Sequence, residues 1–234
     1  MTRSLVASIR DRQHAGLFPV ISEVKSRSPK EGDLLAGRDP VTYARAMASA
    51  GVAGISVVTE PEHFGGSMDV LRAVVAAVDL PVLAKDFVTS PDEIDPFVQA
   101  GAAALLLIAS HLEADTLAAL VDHARARGIE TLVEAHTVEE ARIVGALPGD
   151  LLGINNRDIT VLEVDDSDVS RTAELAGLYP AGRPVVSESA IAGPADVRRA
   201  AAAGADAVLV GTAALRAPDT VAFLRGLAGV GWPV

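Results

Sequence analysis

The sequence predicts an α/β fold: a single (β/α)8 TIM barrel with a short N-terminal helical arm. Three observations carry this. Eight short β-rich runs recur along the chain, Ala-rich helical patterns separate them, and successive runs start roughly 20–35 residues apart, the length of one βα unit. Eight such units fit the 234 residues as one domain, 1–234, with residues 1–18 as the arm.

In chain order, PVISEVK (19–25) is the first strand. The helical stretch DPVTYARAMASA (39–50) follows, opened by Asp39-Pro40, with Pro at a first helical position. GISVVT (54–59) and PVLAKD (81–86) are the second and third strands, and Ser90-Pro91 starts the next helix. ALLLIA (104–109), ADTLAALVDHARARG (114–128), TLVEA (131–135) and LLGINN (151–156) continue the alternation. PVVSES (184–189), a helix opened by Gly193-Pro194, and AVLVGT (207–212) complete it. Gly51, Gly101, Gly128 and Gly204 supply the helix stops. The rival architecture, a doubly wound open sheet, would normally show an early Gly-rich phosphate loop. Neither G-x-G-x-x-G nor a Walker motif is present.

Composition narrows the function classes. Half the residues are hydrophobic but only 3% are aromatic, so Ala, Val, Leu and Ile fill the core, as suits helices packed on a parallel sheet. A net charge of −11 without a basic run argues against nucleic acid as partner. The absence of cysteine removes disulfides, thiolate nucleophiles and Cys-zinc sites, and fits the cytoplasm. The first twenty residues lack the apolar core of a signal peptide, and no apolar run approaches the ~18 residues of a membrane helix. No metal is expected, because no His/Asp/Glu set has a recognisable ligand spacing.

Polar residues gather at one end of the strands. Glu23 and Lys25 lie two residues apart in a strand that otherwise reads as buried, so both point the same way. A buried charge is costly unless paired or used. The other strands end in Lys85-Asp86, Glu134, His136, Asn155-Asn156-Arg157, Ser187-Glu188-Ser189 and Gly211-Thr212. In a barrel these C-terminal strand ends form the catalytic face. Each residue also has a structural reading: an ion pair for Glu23 and Lys25, a turn charge pair for Lys85 and Asp86, a helix cap for Glu134, a tight turn for the asparagines, a solvated loop charge for Glu188. Their coincidence at one end favours function. The chain has only three lysines, Lys25, Lys30 and Lys85, against seventeen arginines, a hint that these positions need a compact, tunable ammonium. His14, His63, His111 and His123 read as surface residues; His136 shares a strand face with Glu134. The segments SESAIAGPADV and LVGTAALRAPD run from strands into small residues and helix starts, loops that point backbone N–H groups at an anion.

ISEVKSRSPKEG, ISVVTEPEHFGGS, PVLAKDF, LLLIA, LVEAH, GINNRD, VSES and LVGTAAL together resemble the indole-3-glycerol phosphate synthase family, over residues 19 to 216. The resemblance implies the substrate 1-(o-carboxyphenylamino)-1-deoxyribulose 5-phosphate and the products indole-3-glycerol phosphate, CO₂ and water, in tryptophan biosynthesis. It implies Lys85 as general acid, Lys25 as holder of the anthranilate carboxylate and aid to proton transfer, and Glu134 as a second acid/base group. Glu23 and Asn155 would fix the substrate hydroxyls and the lysines, and Glu188 and Ser189 would line the far wall. Phe64, Phe87, Leu106 and Ile159 would hold the aromatic ring; Ser28, Gly211 and Thr212 would hold phosphate, with Arg157 beside them. Ring closure needs an acid at the carbonyl oxygen, and dehydration needs both a base and an acid, which a carboxylate–lysine array supplies. No cofactor is expected, on the ground of the chemistry that the resemblance implies.

Two departures stand out. Ala190 occupies a position where the family usually has Gly, and its Cβ is expected to crowd the phosphate or cost a backbone amide angle. The arm of about eighteen residues replaces roughly forty that commonly place helices over the mouth, so a more open mouth or an altered substrate is expected. Two other readings stay open: a Schiff-base aldolase acting through Lys85, and a sugar-phosphate-binding barrel without turnover. A third, phosphoribosylanthranilate isomerase, is opposed by the lysine pair and GINNRD. The expected partner is a small sugar phosphate, with neither nucleic acid nor membrane; a homodimer or association with other tryptophan-pathway enzymes is compatible with the sequence.

Overall fold

A computed structural model describes residues 3–161 and 168–233, Val161 by its backbone only. The expected domain span 1–234 thus includes residues 1, 2, 162–167 and 234, which lie outside the described residues. All eight expected strands are present: β1 Val20–Val24, β2 Gly54–Val58, β3 Val82–Lys85, β4 Ala104–Ile108, β5 Glu130–Ala135, β6 Leu151–Asn155, β7 Val185–Glu188 and β8 Ala207–Val210. Each pairs in parallel with its neighbours in sequence, and β8 returns to β1 through Val20↔Val208 to close the ring. The open-sheet rival is thereby excluded.

Local chemistry fixes the helices between them. The Asp39 carboxylate accepts from Thr42 N at 2.7 Å and caps α2 (Pro40–Ser49), with Pro40 in its first turn. Ser67 caps α3 (Met68–Ala77). Ser90-Pro91 opens a short 3₁₀ turn that leads into α4 (Ile94–Gln99). After α5 (Ala114–Arg127) the chain leaves through Gly128 at φ 72°, and Gly51, Gly101 and Gly204 also take positive φ. Thr137 and Glu140 form a reciprocal cap on α6 (Val138–Ala146). The remaining helices are α7 (Ser170–Leu175), α8 (Pro194–Ala202), α9 (Thr212–Arg216) and α10 (Thr220–Ala228).

Strand alternation divides the core in two. Val20, Val24, Ile55, Val57, Val82, Ala84, Leu105, Leu107, Val133, Leu152, Val185 and Val208 pack outward against the helices. Ile21, Leu83, Ala104, Leu106, Leu132, Leu151, Val186, Ala207 and Leu209 point inward and fill the barrel.

The N-terminal arm turns to the end of the barrel opposite the strand C-termini. Its helix, α1 (Leu5–His14), buries Leu5 and Ile9 completely in the inner cluster. Glu130, at the start of β5, holds the first turn of α1: its carboxylate accepts from the Ser4 hydroxyl, from Leu5 N at 2.7 Å and from Val6 N at 3.2 Å. Arg10 Nη1 reaches Asp206, just before β8, at 3.0 Å, and the Gln13 amide donates to the same residue. The Ser8 hydroxyl donates to Ala53 O at 2.5 Å. The described part of the arm thus packs against the floor of the barrel.

Candidate active site

The inward parity that places Ile21, Leu83, Leu132, Leu151 and Val186 in the barrel continues up each strand. Two residues on, it yields Glu23, Lys85, Glu134, Gly153 and Glu188, and Lys25 and Asn155 follow on the same faces. Glu23, Lys25, Glu134, Asn155 and Glu188 are all buried, Lys25 with 6% exposure and Glu188 with none. Their charges meet. Lys25 Nζ lies 3.0 Å from Glu23 Oε1, and Lys85 Nζ lies 3.8 Å from Glu23 Oε2 and 3.1 Å from Glu188 Oε2. Glu23 thus joins both ammonium groups. Asn155 Nδ2 donates to Glu134 Oε1 at 3.1 Å, and Asn155 Oδ1 accepts from Arg157 N at 3.0 Å. The buried ion pair that Glu23 and Lys25 suggested is present, and it stands at the wall of a cavity.

That cavity has two lobes. One is mostly apolar and is lined by Val58, Phe64, Phe87, Leu106, Ile108 and Ile159, together with Glu23, Lys25, Glu60, Lys85, Asp86, Glu134 and Asn155. Lys25 Nζ lies 5.6 Å from the centroid of the Phe64 ring, close enough for a cation–π contact. The other lobe is lined by Arg157, Ser189–Ala192, Leu209, Val210 and Gly211–Ala213. Glu23, Lys25 and Lys85 border both.

Two glycines allow this crowding. A Cβ on Gly211, just after β8, would stand 2.5 Å from Glu23 Oε1, so a side chain there would displace that carboxylate. A Cβ on Gly153 would stand 2.6 Å from Glu188 Oε1 and 3.0 Å from Glu134 Cα, so the base of the site is full there. In the second lobe Ser189 and Ala190 both adopt left-handed backbone, φ 63° and 57°. Such a conformation costs a residue with a Cβ roughly 1–2 kcal/mol. The concern attached to Ala190 from the sequence is therefore concrete: the backbone there has the form glycine prefers.

Most residues expected in the site share these linings: Glu23, Lys25, Phe64, Lys85, Phe87, Leu106, Glu134, Asn155, Arg157, Ile159, Ser189, Gly211 and Thr212. Glu188 lies beneath, against Lys85. Ser28 does not join them; it sits in a two-residue ribbon after β1, where its hydroxyl accepts from Glu31 N at 3.1 Å. His136 uses Nδ1 on the Asn155 carbonyl at 2.8 Å. His63 and His111 are exposed, as expected, yet both rest on Phe87, with ring centroids 6.5 and 5.0 Å away. Burial holds the His111 imidazole below its ordinary pKa, against a smaller opposing pull from Glu140.

Glu60 is the main residue that sequence reasoning did not single out. It lies in the loop after β2, where strand parity gives no signal. Burial pushes its carboxyl up, but hydrogen bonds from Phe64 N, His63 N, the His63 ring and Glu62 N outweigh that and hold it below the usual carboxylate range. Those bonds fold the loop so that Phe64 covers the apolar lobe. Glu60, Glu62 and His63 have ligand atoms within 4.8 Å of one another, but the Glu60 oxygens are engaged by the loop's own N–H groups.

Comparison with known proteins agrees with this site. A family model described as indole-3-glycerol phosphate synthase matches residues 1–227. An indole-3-glycerol phosphate synthase of Thermococcus kodakarensis is 47% identical over 211 residues, which are 90% of this chain and 92% of that protein. One from Pyrococcus abyssi is 46% identical over 207 residues, 88% of this chain and 90% of that protein. The solved structure of 3-hexulose-6-phosphate synthase from Salmonella typhimurium superposes with a TM-score of 0.73 at 16% identity, covering 91% of this chain and 97% of that one, and speaks for the fold alone. With residues 1–227 matched and nearly half the aligned positions shared with these relatives, the chain belongs to the indole-3-glycerol phosphate synthase family.

Proposed function

We propose that the two-lobed cavity performs the family's reaction on 1-(o-carboxyphenylamino)-1-deoxyribulose 5-phosphate, yielding indole-3-glycerol phosphate, CO₂ and water. The supporting observation is the Glu23 carboxylate, 3.0 Å from Lys25 Nζ and 3.8 Å from Lys85 Nζ, at the border of an apolar and an anion-suited lobe. The substrate has the same division: an aromatic acid at one end, a phosphate at the other and a ketose between.

The aromatic ring occupies the lobe of Phe64, Phe87, Leu106, Ile108 and Ile159. The phosphate takes the Arg157 guanidinium and the backbone N–H groups of the two loops after β7 and β8. This pins the ring carbon against the ketose carbonyl, the positioning that ring closure requires. Lys85 donates a proton to the carbonyl oxygen as the new carbon–carbon bond forms. Lys25 neutralises the ring carboxylate until the bond to it breaks and CO₂ departs. The electron pair left behind restores the ring, so no external electron sink is required. Glu134, oriented by Asn155, handles the proton removed in the dehydration, and a protonated group beside the departing hydroxyl releases it as water. Glu23 keeps the two ammonium groups apart and in place.

The catalytic and binding roles are tested by a continuous fluorescence assay for indole-3-glycerol phosphate formation from the synthetic carboxyphenylamino substrate. Signal growth that depends on the chain, and that is lost in Lys85→Ala, is the expected result; a silent wild-type chain that still binds the substrate would overturn it in favour of a binding barrel. We place this step of tryptophan biosynthesis in the cytoplasm. Among the described residues no helix is long and apolar enough to cross a membrane.

A further inference from the structure

Asn156 follows Asn155 and points the other way. By strand parity it leaves the barrel interior and enters the layer between the sheet and α7, where it is 3% exposed. There it joins two fully buried hydroxyls, Thr172 on α7 and Ser187 on β7, whose oxygens lie 2.7 Å apart. The orientation of its amide follows from its partners. Thr172 N can only donate, and it reaches Asn156 Oδ1 at 3.1 Å; the Thr172 hydroxyl lies 3.0 Å from the same oxygen. Nδ2 therefore faces the acceptors: Ser187 Oγ at 3.0 Å, Glu188 O at 2.9 Å and Ser189 O at 3.3 Å. The Asn156 backbone N–H adds a bond to Glu188 O at 2.9 Å.

Those two carbonyls belong to a critical stretch of backbone. Glu188 carries the carboxylate 3.1 Å from Lys85 Nζ, and Ser189 and Ala190 form the left-handed pair lining the anion-suited lobe. Two consecutive residues with a Cβ do not hold such a conformation unaided. We propose that Asn156 is a positioning residue for this reaction. From the outer face of the sheet it clamps the Glu188 and Ser189 carbonyls, which holds the left-handed turn that receives phosphate and sets the height of Glu188 against Lys85. The proposal rests on the reading of the second lobe as the phosphate subsite.

The isosteric change Asn156→Asp removes both amide donors and turns an oxygen toward two carbonyls. It is expected to lower kcat/KM about 100-fold, the scale of a small misplacement of reacting groups, mainly through a raised KM. Its affinity for inorganic phosphate, measured by isothermal titration calorimetry, falls alongside. Asn156→Ser carries the same expectation where the aspartate variant does not fold; thermal unfolding identifies the folded variants. Adding Ala190→Gly lets the turn form without the clamp, so it restores phosphate affinity to Asn156→Ser in part. A folded Asn156 variant with wild-type KM and phosphate affinity, or one that Ala190→Gly does not rescue at all, overturns the proposal. If the wild-type chain binds phosphate but forms no indole-3-glycerol phosphate, the catalytic reading fails while the calorimetric comparison still decides the clamp.

Discussion

The two ends of this barrel both hold carboxylates, part-buried at the floor and buried at the mouth, and they use them differently. At the floor, Glu130 is enclosed by the first turn of α1, and Asp206 by Arg10, Gln13 and the N–H of Val185. At the mouth, Glu23, Glu134 and Glu188 meet the ammonium groups of Lys25 and Lys85 and the amide of Asn155, and these line a cavity. Below, the charges fasten an element; above, they are arranged around space. The two sets differ in the nature of the partner and in the presence of a cavity, besides the deeper burial at the mouth.

If that division is right, substitutions at the two ends separate activity from stability. The largest effect is expected at the mouth: Lys85→Ala lowers turnover by about 10³-fold or more, the scale of a lost general acid, with an unfolding midpoint close to wild type. Activity near wild type in that variant would remove Lys85 from the chemistry. Next comes the floor. Leu5→Ala empties a fully buried site and costs about 3 kcal/mol in urea unfolding, with kcat unchanged; a fall in kcat instead would mean that the floor communicates with the mouth. Lys25→Ala is smaller, lowering kcat/KM about tenfold to a hundredfold, as for a lost charge-assisted hydrogen bond, through both kcat and KM. A change confined to KM would make Lys25 a binding group only.

The smallest expected effect is a pH dependence at the floor. Burial raises the Glu130 carboxyl above its ordinary 4.5, and the bonds from Ser4, Leu5 and Val6 do not fully offset that. A folded-state pKa raised above the unfolded value means stability is fully present below 4.5 and is lost as pH rises through the folded value. Glu130→Gln removes this titration. Urea midpoints measured between about pH 4 and 7 should then show wild type losing stability relative to Glu130→Gln as pH rises. Parallel curves for the two proteins would place the burial cost elsewhere.

The sequence made the fold and much of the site legible because both follow from periodicity. β-rich runs mark the strands, and an i, i+2 spacing puts Glu23 and Lys25 on the face that Ile21 already assigns to the interior. Periodicity is silent where backbone is irregular. Glu60 acts through a loop whose shape its own carboxylate creates, so no alternation announces it. Ser28 read as a phosphate ligand from the first loop; its hydroxyl accepts from Glu31 N, which leaves its own proton to donate. The arm read as helical, yet its direction depended on distant anchors at Glu130 and Asp206. Asn155 and Asn156 stand side by side in one motif, and only the parity of β6 sends one to the cavity and the other behind the sheet.

The absence of a side chain at Gly153 has a consequence for how this site can change. Because a methyl group there would meet Glu188 Oε1 at 2.6 Å and Glu134 Cα at 3.0 Å, that strand can add no side chain to the well without displacing Glu188. A longer or bulkier reactant must gain its room sideways or upward, at Phe64, Phe87 and the turn of Ser189 and Ala190. New selectivity in this scaffold is thus to be sought in the rim, while the charged groups below stay as they are.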